Sequence, residues 1–325
     1  MIDADALMSA ARRPLVIGMG GGGDVVGALA TAEACRLYHG AEPVLGGVTW
    51  ERRVIDPAPG PRSLDEIEGG DRLADCVLAA GPDTHAGDVV FAEAHMARFL
   101  GETVALVDPH PGSAAIAAGL ARTADSLGAD LIVLLDVGGD ALAHGDEPGL
   151  ASPLCDSVML AAAVRLQDSG RDVLAGVFGV GCDGELTVDE VMARVSEVSA
   201  AGGLAGVRGL TEPVADRLEG AVKEVPTEAS AMAIRCFRGQ TGTAEIRRGQ
   251  RTVPLSPLGA LTFYLDPRVA LDSAARLARA VWDAGSLEEA NDALHAEGVH
   301  TELDLERAAS ASATQTSLPS PRHPR

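Results

Sequence analysis

The first two hundred residues alternate short, almost unbroken apolar runs with longer stretches whose apolar positions recur at helical spacing. The runs at 14–18, 43–49, 75–80, 103–107, 131–136 and 173–178 are predicted strands, and the segments 24–39, 88–100, 113–127, 153–169 and 188–200 are predicted helices. A strand that is apolar throughout, not at every second residue, is buried on both faces. Such strands separated by helices predict a parallel sheet with helices on each side. The fold class expected is therefore α/β: a three-layer α/β/α, Rossmann-like, mostly parallel sheet. Capping signals sharpen some boundaries, as at Thr187–Glu190, Ser63–Glu66 and Ser286–Glu289.

After Gly202 the pattern changes. Helices are predicted at 211–223 and 227–237, then a hairpin in AEIRRGQRTVPL turning near Arg248 and Gly249. A strand at 260–265 and helices at 267–284 and 287–296 follow. These form a C-terminal helix-plus-hairpin extension. The expected organisation is one domain over 1–307, with a core at 14–200 and an extension at 201–307. The Ser/Thr/Pro-rich end, lacking periodicity, is expected to be a disordered tail over 308–325.

Composition narrows the classes of function. The 325 residues carry 26 Lys+Arg against 47 Asp+Glu, a net charge of −21, so phosphate-backbone binding and a nucleic-acid partner are not expected. No apolar run approaches the ~20 residues of a membrane span, and no membrane partner is expected. The five cysteines are scattered without a C-x-x-C pair, which argues against zinc or a disulfide framework and fits a cytoplasmic location. Nothing in the chain sets the oligomeric state.

The polar residues collect in particular loops. In an open parallel sheet, ligands bind beyond the carboxyl ends of the strands. The six loops that leave those ends are GMGGGGD (18–24), WERRVIDPAPGPR (50–62), GPDTHAGD (81–88), DPHPG (108–112), DVGGDALAHGDEPG (136–149) and GVGCDGE (179–185). Each contains an acid and a Gly or Pro, whereas the loops entering the strands are plain. One polar site along one sheet edge is expected, with a small-molecule ligand.

GMGGGGD satisfies G-x-G-x-x-G between a strand and a helix, so Gly20, Gly21, Gly22 and Gly23 are candidate ligand-binding positions. Asp24, however, sits where a pyrophosphate would dock, and no acid closes the second strand at the usual spacing. NAD(P) is disfavoured as a cofactor for both reasons. A plain tight turn remains the alternative for this loop. In the second loop Trp50 offers a ring for stacking, Glu51 a carboxylate, and Arg52 or Arg53 a fork for a carboxylate or phosphate. A self-paired surface loop is the alternative there.

The fifth loop holds the densest chemistry. Asp136 ends a strand and Asp140 follows two glycines, so their carboxylates can converge on a hard cation, and Mg²⁺ or Mn²⁺ is the candidate cofactor. Asp183 can join from the neighbouring loop. Asp140, His144 and Glu147 are the candidate catalytic residues, His144 as a ligand or acid–base group. His110 is a further ligand-binding candidate because its loop lies on the same edge. The same acids would equally suit a cationic amine, or serve only to cap helices and bind loop N–H groups.

Taken together, GGGGDVVGA, GGVTWER, DPAPGPR, DVGGDALAHGDEPGLASPLCD and GVGCDGEL resemble a family from archaea and bacteria, the domain of unknown function 1152. The resemblance spans roughly residues 14–300 and implies a Rossmann-like α/β fold without implying a reaction. The Gly-Gly-Asp loops alone are similar to those of metal-dependent glutamate cyclase domains. The expectation is an enzyme acting on a small polar metabolite, phosphorylated or amino-acid-like, with a divalent cation as its candidate cofactor. The alternative is a non-catalytic metabolite sensor on the same scaffold.

Overall fold

A computed structural model describes residues 2–316, with side chains through residue 312. Twelve strands are found among the described residues. They are β1 (Pro14–Gly18), β2 (Val44–Val48), β3 (Glu68–Ala74), β4 (Val77–Ala86), β5 (Val89–Val90), β6 (Val104–Val107), β7 (Leu131–Val137), β8 (Val173–Phe178), β9 (Leu204–Gly209), β10 (Gly242–Ile246), β11 (Arg251–Leu255) and β12 (Leu261–Leu265). Ten form one sheet in the order β3-β4-β6-β2-β1-β7-β8-β12-β9, with β5 beside β4, and β10 and β11 form a separate hairpin.

The centre, β6-β2-β1-β7-β8, is parallel throughout. It starts at β1, runs outward through β2 to β6, then returns to the other side of β1 for β7 and β8. The direction in which strands are added thus reverses at β1, which makes the β1–β7 junction the switch point of a Rossmann-like α/β fold. Successive residues of β1 serve opposite faces. Leu15 and Ile17 join the core formed with helix Pro153–Asp168, while Val16 joins the core formed with helix Asp24–His39. All three are fully buried, and each such aliphatic side chain contributes about 1.5–3 kcal/mol through the water it leaves. Burial on both faces is why these strands read as continuous apolar runs.

The flanks depart from the expected parallel order. The predicted strand at 75–80 is part of β4, which pairs antiparallel with both β3 and β6. Only Asp75 and Cys76 separate β3 from β4, a connection too short for a parallel crossover, so the chain reverses there. Residues 81–86, expected as a loop, therefore lie within β4 itself, whose end is carried away from the edge shared by the other five. Strands β3, β5 and β9 were not anticipated: β3 is an exposed edge strand, β9 is only partly buried, and the two-residue β5 occupies the start of the helix expected at 88–100, which begins at Ala92.

Helix boundaries mostly fall where the pattern put them. Thr187 and Glu190 form the full reciprocal capping box, as do Ser63 and Glu66 over a single 3₁₀ turn. The helix expected at 267–284 is two helices, Pro267–Ser273 and Arg276–Ala280, because Ala275 at ψ 71° leaves helical geometry. The end of the chain corrects the tail boundary. Residues 302–316 are helical, so the disorder expected from 308 does not hold through Thr316, and residues 317–325 lie outside the described residues. This helix has acids Glu302 and Asp304 in its first turn, which suit the positive end of its dipole. Among the described residues no helix is long and apolar enough to cross a membrane.

Candidate functional site

Above the switch point lies a cleft of about 370 Å³, a size suited to a small ligand. Its walls come from the carboxyl ends of β1, β2, β7 and β8, and from the β10–β11 hairpin and the helix Glu302–Thr316. Among the described residues, nine carboxylate side chains and four arginines line it, and neither His nor Cys does. An oxygen-only donor set of this kind suits a hard cation, not zinc or copper.

The floor is built from aspartates. Asp24 opens the helix after β1, Asp136 lies near the end of β7, and Asp156 sits in the first turn of helix Pro153–Asp168. Ligand oxygens of these three carboxylates lie within 4.8 Å of one another, as do those of Asp140, Asp183 and Glu185. Asp136 is fully buried under the cleft, while Asp24, Asp140, Asp156 and Asp183 line it. Gly138 permits this crowding. Its φ of +132° turns the chain after β7, and a Cβ there would overlap the Asp183 carboxylate.

Such crowding disfavours ionisation. Burial, then the charges of neighbouring acids, hold Asp136, Asp140 and Asp156 well above the usual carboxylate range. Burial also pushes Asp24 up to about 7 despite N–H donors from Gly20 and Val137, and raises Asp183 to about 8 with help from Glu185. Among the described residues, Asp136 Oδ1, Asp156 Oδ1 and Asp183 Oδ1 are buried without a hydrogen-bond partner. Leaving a buried polar atom unsatisfied costs free energy, so these three oxygens point to an absent cationic partner.

Glu185, by contrast, is fully engaged. It accepts from Ala151 N at 2.8 Å, Ser152 N at 2.9 Å and Ser152 Oγ at 2.5 Å, and pairs with Arg251 at 2.9 Å. It ties the loop after β8 to the start of helix Pro153–Asp168.

The arginines stand opposite. Arg52 pairs with Glu228 at 2.9 Å, and Arg53 donates to Ser310 Oγ at 2.7 Å and to the Glu306 carbonyl at 3.1 Å. Arg247 is held at the hairpin tip at φ +54°, followed by Arg248 at +57°, a strained conformation for two consecutive non-glycine residues. Its Nε is buried without a hydrogen-bond partner, although the Glu228 carboxylate lies 3.8 Å away. Burial, together with Arg52 and Arg251, lowers its affinity for its own proton.

A third acid group lies behind the glycine loop. Glu51 lines the cleft and accepts from Ala92 N at 2.5 Å, but its Oε2 has no hydrogen-bond partner. Neither carboxylate oxygen of the buried Glu93 has one either. Burial pushes Glu51 up to about 7. Burial and the Glu51 charge push Glu93 well above its ordinary range.

Of the residues singled out from sequence, Gly20 through Gly23, Asp24, Trp50, Glu51, Arg52, Asp140 and Asp183 come together at this cleft, with Asp136 directly below. Trp50 is almost fully buried, and its Nε1 donates to Glu306 at 3.2 Å. Besides Asp136, three candidates do not line the cleft. Glu147 accepts from His144 N and Gly145 N at 2.8 Å and from Arg194, donors that outweigh its burial and keep its carboxyl low. His144 Nε2 lies 3.1 Å from Glu197, so both residues brace their own loop against helix Val188–Ala200. His110 is paired with Asp108 at 2.7 Å, one strand farther out beside β6.

Asp156, Glu185, Arg247, Arg251, Glu302 and Glu306 also line the cleft, and sequence reasoning did not select them. Asp156 and Glu185 stood inside motifs already marked; the signal available for Asp156 was an acid in a first helical turn, and for Glu185 its place in the loop after β8. The hairpin arginines and the C-terminal glutamates carry no local sign of where the fold delivers them.

The chain matches the family described as protein of unknown function, DUF1152, over residues 15–310, and it belongs to that family. No curated protein and no solved structure matches it.

Proposed function

We propose that this protein is a divalent-cation-dependent enzyme acting on a small anionic metabolite, phosphorylated or amino-acid-like, in the cleft at the sheet's switch point. One observation carries the reading. Carboxylate oxygens without partners form the floor, and an arginine with an unpartnered Nε faces them across the cleft. A metal–anion pair satisfies both walls together, whereas a bare anion would meet the acids and a bare cation would leave the arginines idle.

Within this reading Mg²⁺ or Mn²⁺ would sit on the aspartates and supply charge stabilisation to the bound anion. Glu51 is the residue best suited to move a proton. It faces the cleft, and its elevated pKa near 7 lets it give and take protons close to neutrality. NAD(P) remains disfavoured. Gly20 N already donates to Asp24 Oδ2 at 3.0 Å and Gly22 N to the Trp50 carbonyl at 2.8 Å, which leaves fewer loop N–H groups for a pyrophosphate. The acidic cleft also speaks against nucleic acid, and five buried free cysteines suit the cytoplasm.

The position of His144 outside the cleft favours a second reading, a metabolite sensor without turnover. A thermal-shift screen of phosphorylated and amino-acid-like metabolites, with and without Mg²⁺ or Mn²⁺, tests the first reading: a ligand should raise the midpoint only with cation. Glu51→Gln then separates the two. An enzyme loses rate while keeping its ligand, and a sensor has no rate to lose. A ligand that binds equally well without any cation would overturn the proposal.

A further inference from the structure

We infer that the cleft is built for two divalent cations side by side, bridged by a phosphoryl-bearing substrate such as a diphosphate. This rests on the cation-dependent reading above and specifies the metal count and the substrate class.

The acids are delivered as two triplets, one straddling the switch point and one on the β7–β8 side of it. One comprises Asp24, Asp136 and Asp156; the other comprises Asp140, Asp183 and Glu185. Each contains cleft-lining carboxylates with a buried oxygen that has no partner. Asp156 Oδ1 serves the first, and Asp183 Oδ1 the second, in side chains only 2% and 5% exposed. A single cation would satisfy one triplet and leave the other's unpaired oxygen in place.

Charge leads to the same count. Glu185 is neutralised by Arg251 and saturated by its N–H and hydroxyl donors. That leaves five aspartates in contact distance of one another's fields with no arginine paired to any of their carboxylates among the described residues. One divalent ion leaves most of that charge uncompensated in a buried place. Two ions nearly cancel it and turn cation faces, not carboxylates, toward an incoming anion.

The two triplets adjoin: Asp136 and Asp140 flank the Gly138–Gly139 turn, and the charges of Asp156 and Asp136 both act on Asp140. Two-cation phosphoryl sites hold their ions ~3.5–4 Å apart, and Asp24, Asp136 and Asp156 on one side and Asp140 and Asp183 on the other would hold such a pair. Across the cleft, Arg247 provides the unpartnered donor for the outer phosphoryl oxygens, with Arg52 beside it. A carboxylate ligand would occupy the cations but has too few oxygens to reach that arginine as well.

The test is a titration of Mn²⁺ into metal-stripped, full-length protein, followed by calorimetry and electron paramagnetic resonance, then repeated with inorganic diphosphate. The expected result is two Mn²⁺ per chain with a spin-coupled signal, and Mn²⁺ binding tightened by about tenfold or more when diphosphate is present. Asp156→Asn and Asp183→Asn should each reduce the count to one, with circular dichroism unchanged. Arg247→Met should abolish the tightening and keep both ions. The wild-type count and spin coupling decide the matter even if an aspartate variant fails to fold. One Mn²⁺ per chain, or two without coupling, overturns the two-cation inference and leaves the cation-dependent reading standing. No Mn²⁺ with or without diphosphate overturns both, and two coupled ions indifferent to diphosphate overturn the substrate class.

Discussion

Gly20 faces Asp156 so closely that a Cβ at residue 20 would lie 2.8 Å from Asp156 Oδ2, and equally close to Asp24 Oδ2. The two residues are 136 positions apart in the chain, and the missing side chain is what lets two carboxylates approach one point. The glycine here answers to neighbouring acids, not to a ligand. Gly20 lies outside the left-handed region, so Gly20→Ala keeps an accessible backbone and only pushes the carboxylates apart. Its expected outcome is a loss of Mn²⁺ affinity of about 10–100-fold, measured by calorimetry, with a nearly unchanged unfolding midpoint.

The acids behind the loop predict an unusual pH dependence. Burial raises Glu51 from 4.5 to about 7, and burial with the Glu51 charge raises Glu93 well above 4.5. Between the unfolded and folded values the native state holds the extra proton, so stability falls as pH rises. The contribution of Glu51 is complete below pH 4.5 and is lost by about pH 7, on the order of 1.4 kcal/mol per pH unit for each extra proton. Glu93→Gln removes its share, so the variant should gain on the wild type in urea unfolding as pH is raised from 5 to 8. Equal differences at both pH values would remove this account.

The hairpin tip predicts a trade of function for stability. Arg247 at φ +54° occupies a conformation that glycine adopts without strain. Arg247→Gly should therefore match or exceed the wild type in stability, by about 1 kcal/mol. The same variant should lose diphosphate-dependent tightening of Mn²⁺. Thermal unfolding and calorimetry measure the two effects on one preparation.

His144 and Glu147 predict the opposite pairing. Glu147 holds two loop N–H groups and Arg194 in a nearly closed environment. Arg194→Met should destabilise the fold by about 1–3 kcal/mol, since it withdraws charge-assisted hydrogen bonds from a buried carboxylate. His144→Gln should leave Mn²⁺ binding and any turnover unchanged. A large loss of rate with an intact fold would return His144 to the reaction.

The hydrophobic pattern alone determined the parallel α/β centre, because burial on both faces demands continuous apolar strands and three of the intervening helices end on left-handed glycines, Gly40, Gly101 and Gly128. It also located the polar loops on one edge, so Asp24, Glu51, Asp136, Asp140 and Asp183 were legible as a group. Tertiary structure decided the rest, because long-range placement leaves no local mark. The reversal at Asp75 and Cys76 removed one loop from the edge, and an edge strand such as β3 does not need the apolar run that would announce it. Position along the sheet separated His110, beside β6, from the loops that meet at β1 and β7. Side-chain pairing drew Glu147 and His144 into their own loop, an outcome set by Arg194 and Glu197 about fifty residues away. Arg247 and Arg251 came from a hairpin whose residues specify a turn but not its direction, since orientation follows from packing against helix Ala229–Phe237 and the cleft.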